Sequence, residues 1–415
     1  MLPFVAHLPY ASQTTVTTQV RVEARERVES SESSVGQTDD AALETELAPV
    51  LRFDHVWTGG NDHLALLYTP RFILPNLVNA VSGDFSDRRS KFSPFQNGGF
   101  GLEVVRPRWR LSLYGFGAYG SITTSALLYQ KPWNGEGLPA EPNPLLPADR
   151  AARFTVVFYQ PQLAVTFRLN RFVSLRPLVR YNAFGGADGE SRATIPLTRG
   201  PQAELHLDVR ATKADTFSTL IGAAYTQVLA AQLDVLGNYQ FDREGAPITN
   251  VFGEQRWQHR FSSRATAELA VGANVADTRT QGTKLAPTGE ANFQYRRKNL
   301  KLAFVARQAP WVNLFAGEYE PRTSGTLAAN VDFTKQVYLQ TQATAARTLG
   351  DLDSISRYTL GVGDLGVGYK ITREITVDLG ARLGIQDLSN ANLDSTTTQF
   401  IVYGGFQYAP KPFNL

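Results

Sequence analysis

The stretch from Glu374 to Gln386 places apolar and polar residues in strict alternation. Because successive side chains of an extended strand point to opposite faces, this pattern predicts a strand with one apolar and one polar face. The stretch exceeds the usual soluble strand of about five or six residues, but it suits a tilted membrane-spanning strand, which needs about nine to eleven. Its apolar positions are Ile375, Val377, Leu379, Ala381, Leu383 and Ile385.

The composition narrows the class of protein further. The chain has 415 residues, a formal net charge of +3 and no cysteine, which excludes disulfides and thiolate metal sites. Positive and negative residues are interspersed, so nothing indicates binding to nucleic acid. No run of about 18 apolar residues occurs, which excludes a helical membrane protein, whereas a barrel needs only alternate apolar residues.

After the first fifty residues no linker or change of composition divides the chain, so one large repetitive domain is expected. Residues 1–14 are expected to form a periplasmic N-terminal segment, residues 15–410 a transmembrane β-barrel, and residues 411–415 a C-terminal tail. The start, Met1-Leu-Pro-Phe-Val-Ala6, has neither the basic region nor the apolar core of a secretory signal. A mature exported chain with its signal peptide removed is therefore expected.

Short and long connections alternate along the chain. Tight turns are predicted near residues 106–108, 169–171, 212–213, 260–262, 296–298, 334–335 and 371–373. Long connections are predicted near residues 73–97, 121–152, 184–202, 230–247, 277–285, 309–322, 349–357 and 387–397. Short periplasmic turns and long extracellular loops indicate an all-β fold, a closed antiparallel up-and-down transmembrane β-barrel of the bacterial outer membrane.

The segments between these connections suggest about 18 strands, within a range of roughly 16 to 20. Residues 214–247 leave the number open, because Leu233 to Phe241 could form an additional strand. We assign that segment to a loop, since an added strand would spoil the alternation of short and long connections. The first strand is predicted from Thr15 to Glu26, and a polar stretch from Ser30 to Asp40 is expected to end it.

The two strand faces carry different side chains. The apolar face is almost free of charge, as expected where Arg or Lys at the bilayer midplane costs about 2 to 4 kcal/mol. A soluble β-sandwich would also alternate, but the strand length favours the membrane barrel, and closure removes unpaired edges. The candidates for the lumen-facing side are Arg52, Glu103, Arg110, Tyr114, Phe116, Arg176, Arg180, Glu204, His206, Asp208, Arg210, Glu268, Glu290, Lys301, Arg307, Asp332, Tyr338, Glu374, Asp378, Arg382 and Tyr403.

Aromatic residues beside the short turns predict a lipid-interface girdle. They are Trp57, Trp109, Trp257, Tyr295, Phe333 and Tyr369. Inside the barrel the predicted charges nearly cancel, so a hydrated lumen without strong charge selectivity is expected. The inward aromatic rings could stack against sugar rings or could simply fill space.

One glycine-rich string matches a cofactor motif. Gly361-Val-Gly363-Asp-Leu-Gly366 fits the dinucleotide fingerprint, but no helix follows it, so the motif is rejected. The apolar phase shifts across Gly363-Asp364, which favours a bulge in a curved strand. Asp351-Leu-Asp353 resembles the start of a calcium loop but lacks its glycine and terminal glutamate, which favours a surface turn.

The sequence contains little evidence for a catalytic site. Glu204, His206, Asp208 and Arg210 alternate on one strand and could hold a metal or relay protons, but a solvated charge ladder explains them better. There is no GxSxG nucleophile motif. We therefore expect no enzyme activity, no catalytic residues, no metal and no cofactor.

Three segments resemble bacterial outer-membrane β-barrels that accompany exopolysaccharide synthesis and export. They are Arg256-Trp-Gln-His-Arg-Phe-Ser262, Phe293-Gln-Tyr-Arg-Arg297 and Ala309-Pro-Trp-Val-Asn313, within residues 200–350. The resemblance implies an export channel for polysaccharide. Two departures from that family are the missing periplasmic helical-repeat domain and the end at Pro410-Lys-Pro-Phe-Asn-Leu415, where many such barrels end on an aromatic residue.

Three functions follow as hypotheses. The first is a polysaccharide export channel that works with a separate periplasmic export protein. The second is a diffusion porin for small solutes, in which the long loop 121–152, with its Pro-rich stretch from Leu138, folds inward as a constriction. The third is an anchor or surface-binding barrel whose loop 311–320 contacts a ligand outside. In each case the lipid bilayer and lipopolysaccharide are expected partners, and nucleic acid is not.

Overall fold

Long antiparallel strands make up most of the described residues. The computed structural model describes residues 12–33, 36–57, 59, 61–75, 93–123, 132–140, 153–233, 239–241, 246–278, 282–312, 319–348, 357–389 and 394–414. In this part of the chain, no helix is both long enough and apolar enough to cross a bilayer.

The described residues up to Leu229 form strands β1 to β10 and one short helix. Their bounds are β1 Gln13–Ser33, β2 Gly36–Val56, β3 Asp62–Tyr68, β4 Arg71–Pro75, β5 Ser93–Val105, β6 Trp109–Thr123, β7 Arg153–Arg168, β8 Val173–Gly186, helix α1 Gly189–Thr194, β9 Leu197–Arg210 and β10 Asp215–Leu229.

The described residues from Ala231 onward form strands β11 to β22. Their bounds are β11 Ala231–Leu233, β12 Tyr239–Phe241, β13 Ala246–Arg260, β14 Ala265–Thr278, β15 Gly282–Arg297, β16 Leu300–Val312, β17 Tyr319–Asp332, β18 Val337–Thr348, β19 Arg357–Lys370, β20 Ile375–Ser389, β21 Asp394–Tyr408 and β22 Phe413–Asn414.

The sheet closes on itself into a barrel of 18 antiparallel strands, which confirms the predicted fold class. Each strand pairs with its neighbour along the chain, and β1 closes the ring by pairing with β21, from Val20 opposite Tyr408 to Ser33 opposite Ser395. Strands β3 and β4 count as one, because both keep the same register with β2 and β5. Pro70 separates them, since proline has no backbone N–H to donate.

The uncertain segment from Leu233 to Phe241 adds no strand to the barrel. β10 runs from Asp215 to Leu229, and β11 and β12 form a separate small hairpin within the connection to β13. The assignment of this segment to a loop is confirmed. By contrast, the expected break at Ser30 to Asp40 is wrong, because β1 and β2 extend through this polar stretch and pair up to Ser33 and Gly36. The alternation continues there with Glu29 and Ser31 buried on one face.

Two smaller expectations also differ from the structure. Phe413 and Asn414 were expected in a free C-terminal tail, but they form β22, which pairs with Val16 and Thr15 of β1. β1 begins at Gln13 and extends beyond the end of β21, so β22 pairs with part of an edge that β21 leaves open. The connection near residues 277–285 is short, because β14 and β15 pair as far as Thr278 opposite Gly282.

The two faces of the barrel wall are sharply different. On the outside, Val271 and Leu379 are 67% and 62% exposed, whereas inward Glu23 and Arg25 are 0% and 2% exposed. An apolar outer band around a polar interior is the architecture of barrels in the bacterial outer membrane, in agreement with the predicted localisation. The predicted girdle residues Trp109, Phe333 and Tyr369 are exposed beside short turns on this outer face.

Replacing one lipid-facing residue tests this assignment of the faces. We expect Val271→Arg to reduce the stability of the barrel folded in a bilayer by about 2 to 4 kcal/mol, because the charge would enter hydrocarbon. Gln340→Arg, on the inner face of β18, is the control and should change this value little. Urea titrations of the barrel folded into lipid vesicles measure both, and equal losses would contradict the assignment.

A small apolar cluster packs on the inner wall near the long loops. It contains Ile73, Phe95, Ala118, Ile122, Phe154, Val156 and Ile195. Helix α1 lies beside it and is capped by Asp188, whose Oδ1 accepts a hydrogen bond from the Ser191 N–H at 2.8 Å. Burial of the Asp188 carboxyl is outweighed by its hydrogen bonds from Ser191, so the pKa of Asp188 lies below its ordinary value.

Candidate functional site

Part of the loop between β6 and β7 lies inside the barrel. Trp133 of this loop is 5% exposed and packs against Ala303 of β16 and Ala328 of β17. Further along the segment, Gln342 of β18 donates a hydrogen bond through Nε2 to the carbonyl oxygen of Ala140 at 3.2 Å. Residues 132–140, which we call the crossing segment, therefore contact strands β16 to β18.

These strands lie halfway round the ring from β6 and β7. Since Ala303, Ala328 and Gln342 are on the inner face of the barrel, residues 132–140 lie inside the lumen, against the wall opposite β6 and β7. The prediction that loop 121–152 folds inward agrees with the structure for residues 132–140, whereas residues 124–131 and 141–152 lie outside the described residues.

Small residues on β16 and β17 make the seat for the crossing segment. Ala303 and Ala328 alternate with outward residues and leave room for the Trp133 ring, whose Nε1–H donates to the Glu136 carbonyl at 2.9 Å. Gly135 lies against the Lys301 side chain, where any Cβ would clash. The hydrogen bond from the Trp133 Nε1–H to the Glu136 carbonyl satisfies the one polar atom of the indole, which burial would otherwise leave unpaired.

A network of charges lines the wall of β1, β2 and β4. Glu46 accepts from Arg25 at 2.5 Å, from Arg71 at 2.7 Å through both carboxylate oxygens, and from Arg21 at 3.4 Å. Charge-assisted, bidentate pairs of this kind are the strongest hydrogen bonds in proteins. Because Glu46 is fully buried, this carboxylate fixes the positions of three arginines on the inner wall.

The same wall extends toward the long loops with charges that the sequence analysis missed. Arg27 and Glu29 pair at 3.3 Å, and Glu29 accepts from Gln399 of β21 at 2.8 Å. The signal was present in the sequence, since Arg27 and Glu29 continue the alternation of Arg21, Glu23 and Arg25. A strand that ends at Glu26 excludes Arg27 and Glu29, so the prediction omits both residues.

A second polar cluster joins β8 and β9. Arg180 donates to Glu204 at 2.8 Å, His206 contacts the other Glu204 oxygen at 2.8 Å, and Arg176 lies 3.1 Å from the second ring nitrogen of His206. The predicted row of charged residues on β9 is thus linked to Arg176 and Arg180 of β8. Asp208 accepts from Ser218 at 2.6 Å instead of joining His206.

Other predicted lumen residues form ion pairs, either between neighbouring strands or, for Arg52 and Asp54, within β2. Glu103 pairs with Arg110, Arg52 with Asp54 at 2.5 Å, and Arg307 with Glu290 at 3.8 Å. Glu268 pairs with Arg256, which also contacts Glu254 at 2.8 Å. Arg256 and Glu254 are absent from the predicted set. The alternation of Glu254, Arg256 and Gln258 along β13 was the sequence signal that could have identified them.

The remaining candidates are placed as follows. Arg210, Lys301, Asp332 and Asp378 lie at inward positions near the short-turn end of their strands, and Arg382 lies 3.8 Å from Asp364. Glu374 lies in the turn before β20, outside the strand to which it was assigned. Within the described residues, no group of three or more metal-binding side chains converges.

Aromatic rings form a row on the inner wall opposite the seat of the crossing segment. Phe116 and Phe158 meet edge to face with centroids 5.3 Å apart, and Phe158 meets Phe184 in the same manner at 6.3 Å. Phe116 is 37% exposed, so its ring faces the lumen. Tyr114 lies two residues earlier on the same face of β6.

The glycine-rich string of β19 provides space for two tyrosines. A Cβ at Gly368 would clash with the Tyr338 ring, and a Cβ at Gly366 would lie 2.6 Å from the Tyr403 hydroxyl. The expected bulge at Gly363-Asp364 is wrong, because β18 and β19 keep one register from Val337 to Arg347. Leu360 and Val362 point inward against Ala346, which explains the apparent shift of phase.

The fit between these glycines and tyrosines gives a second prediction. We expect Gly368→Val to destabilise the barrel by about 1 to 3 kcal/mol, because the added side chain collides with the Tyr338 ring. Gly361→Val on the outer face of the same strand is the matched control, since nothing lies within 4 Å of its Cβ. Urea unfolding in vesicles compares the two, and an equal effect would contradict the proposed fit.

No family model matches the chain, and no curated protein matches it. Among solved structures, the outer membrane protein OpdK from Pseudomonas aeruginosa is 13% identical, with 96% of this chain and 99% of that chain covered and a TM-score of 0.43. OpdQ from the same organism is 10% identical, with 97% and 98% covered and a TM-score of 0.46. OccAB2 from Acinetobacter baumannii is 13% identical, with 95% and 98% covered and a TM-score of 0.45.

Proposed function

We propose that the protein is a channel through which small solutes diffuse across the outer membrane. The observation that carries this proposal is the crossing segment, which narrows a lumen lined by charged and polar side chains. Barrels of 16 to 18 strands are wide enough for an aqueous channel, and an internal loop sets an upper limit on the solutes that pass.

The export of polysaccharide, which the sequence resemblance implied, is less well supported. A polymer chain would have to displace the crossing segment, which is held by a buried tryptophan and by a hydrogen bond to the opposite wall. Diffusion of small solutes needs no such displacement and no periplasmic export protein. We therefore favour the porin hypothesis over the export hypothesis.

The inner wall also suggests what kind of solute would pass. Glutamates and arginines alternate in paired networks, so no ring of one sign lines the described part of the lumen. Selectivity for one sign of charge would require such a ring. We propose weak charge selectivity, with the aromatic row Phe116, Phe158 and Phe184 offering contact to apolar parts of a solute.

Swelling of proteoliposomes in sugars of increasing size tests this function. The expected result is rapid swelling in a monosaccharide, slower swelling in a trisaccharide and none in dextran. The same preparation should conduct ions in a planar bilayer. Absence of both swelling and conductance would favour the anchor hypothesis, and passage of dextran would favour export.

A further inference from the structure

Five of the short turns share one local structure. They are Leu169-Asn-Arg-Phe172, Ala211-Thr-Lys-Ala214, Phe261-Ser-Ser-Arg264, Phe333-Thr-Lys-Gln336 and Ile371-Thr-Arg-Glu374. In each, the side-chain oxygen of the second residue accepts hydrogen bonds from two backbone N–H groups that follow. Asn170 accepts from Phe172 and Val173 at 2.7 and 2.9 Å, and Thr334 accepts from Gln336 and Val337 at 3.1 and 2.9 Å.

The same pair of bonds forms at Thr212, Ser262 and Thr372. Such side-chain caps replace the backbone partners that a tight turn lacks. Because the second residue alone does the capping, the side chains of the first and third residues are left for other roles. The turn therefore fixes its backbone while it presents these two side chains at the barrel rim.

The first residue of four of these turns is a large apolar residue on the outer face. Leu169, Phe261, Phe333 and Ile371 are all exposed, with Phe333 the most exposed at 65%. Each continues the outward positions of the strand before it, so the apolar outer band reaches the turns themselves. A rim that faced only water would expose these side chains at a cost of roughly 25 cal/mol per Å².

The third residue is a cation in four of the five turns. Arg171, Lys213, Lys335 and Arg373 are exposed, and among the described residues none of them is paired with a carboxylate. In the remaining turn the fourth residue, Arg264, is the cation. The Arg171 guanidinium lies 4.5 Å above the Phe172 ring, so this charge is held directly beside an apolar surface.

Carboxylates lie close to three of these turns, the second, the fourth and the fifth. Asp215 follows the second turn, but it is occupied by Thr212, Trp257 and His259 at 2.7, 3.1 and 2.7 Å. Glu374 follows Arg373 directly and weakens the positive potential there. Asp332 precedes the turn of Lys335 but lies at an inward position of β17, and the turn of Arg171 has no acidic residue in or directly beside it, so these two turns are the most favourable of the set.

We propose that this short-turn rim binds the headgroups of anionic glycerophospholipids in the periplasmic leaflet. A lipid of this class carries a phosphate for the cation and acyl chains for the outward apolar residue beside it. Lys and Arg next to an anionic surface contribute attraction, and aromatic residues favour the same interfacial depth. A soluble acidic protein would satisfy the charges but would leave Leu169 and Phe333 against water.

The test compares two lipids that have the same acyl chains but an anionic or a zwitterionic headgroup. The full chain in detergent is titrated with dioleoylphosphatidylglycerol or dioleoylphosphatidylcholine, and native mass spectrometry counts the bound lipids. The native chain is expected to retain the anionic lipid preferentially. The variant Arg171→Gln with Lys335→Gln should bind it more weakly, by about fivefold for each removed charge.

The matched control removes the same charge from the opposite rim. Arg199 and Arg347 are exposed near the long-loop ends of β9 and β18, and Arg199→Gln with Arg347→Gln should retain the preference. Asn170 and Thr334 remain in the test variant, so the turn caps are intact; if it fails to fold, Lys335→Gln alone decides. Equal binding of the two lipids, or equal losses in test and control variants, would overturn the proposal.

Discussion

Removing residues 133–140 and rejoining the loop through a short glycine linker is expected to raise single-channel conductance several-fold. The crossing segment lies inside the lumen against β16 to β18, so its removal widens the channel at that level. Ion flow through a hydrated pore depends most strongly on its narrowest part. Planar-bilayer recordings of the native and shortened chains measure the change.

A single substitution should produce a milder form of this effect. Trp133 is almost fully buried on Ala303 and Ala328, and loss of a buried tryptophan costs about 3 to 5 kcal/mol. In Trp133→Ala most of this loss weakens the docking of the crossing segment on β16 and β17. The conductance should therefore fluctuate between the native level and a larger one. Trp109→Ala, on the outer face, is the control and should leave conductance unchanged. Unaltered conductance in both the shortened chain and Trp133→Ala would contradict the constriction.

The strands and their faces could be predicted because each strand carries its own signal. A strand such as β20 needs no information from elsewhere, since alternation within Ile375–Ser389 separates the outer from the inner residues. The expected bulge in β19 failed for a related reason. Leu360 and Val362 are apolar, but they face inward against Ala346, and alternation alone cannot distinguish a lipid contact from an apolar contact inside the lumen.

The docking of the crossing segment could be suggested but not located from the sequence. Trp133 stands in a stretch rich in proline and glycine with no periodicity, and its seat consists of alanines 170 or more residues away in the chain. The sequence also does not indicate which residues of the charge networks pair with each other. Glu46 meets Arg71 only because β4 pairs with β2, and Glu29 meets Gln399 only because β1 closes the ring with β21.

Glu46→Ala is expected to reduce the stability of the barrel by about 3 to 5 kcal/mol, the cost of removing one partner from a buried ion pair. Glu46 is the shared acceptor for Arg21, Arg25 and Arg71, and the Arg25 side chain is as deeply buried as its own. Without this carboxylate the three guanidinium groups lose the acceptor that they share, and Glu23 and Glu44 contact Arg21 and Arg25 at the longer distances of 3.9 to 4.0 Å. Urea unfolding of the barrel in vesicles measures the loss.

Asp54→Ala provides the comparison that separates this network from an ordinary lumen pair. Asp54 contacts Arg52 and His63, but its side chain is 17% exposed and reaches the water of the lumen. A pair in contact with water contributes about 0 to 1 kcal/mol, so this variant should remain close to the native chain. Glu46→Gln should fall between the two, because the amide still accepts one hydrogen bond but carries no charge. If Glu46→Ala were no less stable than Asp54→Ala, the shared carboxylate would not hold the wall of β1, β2 and β4 together.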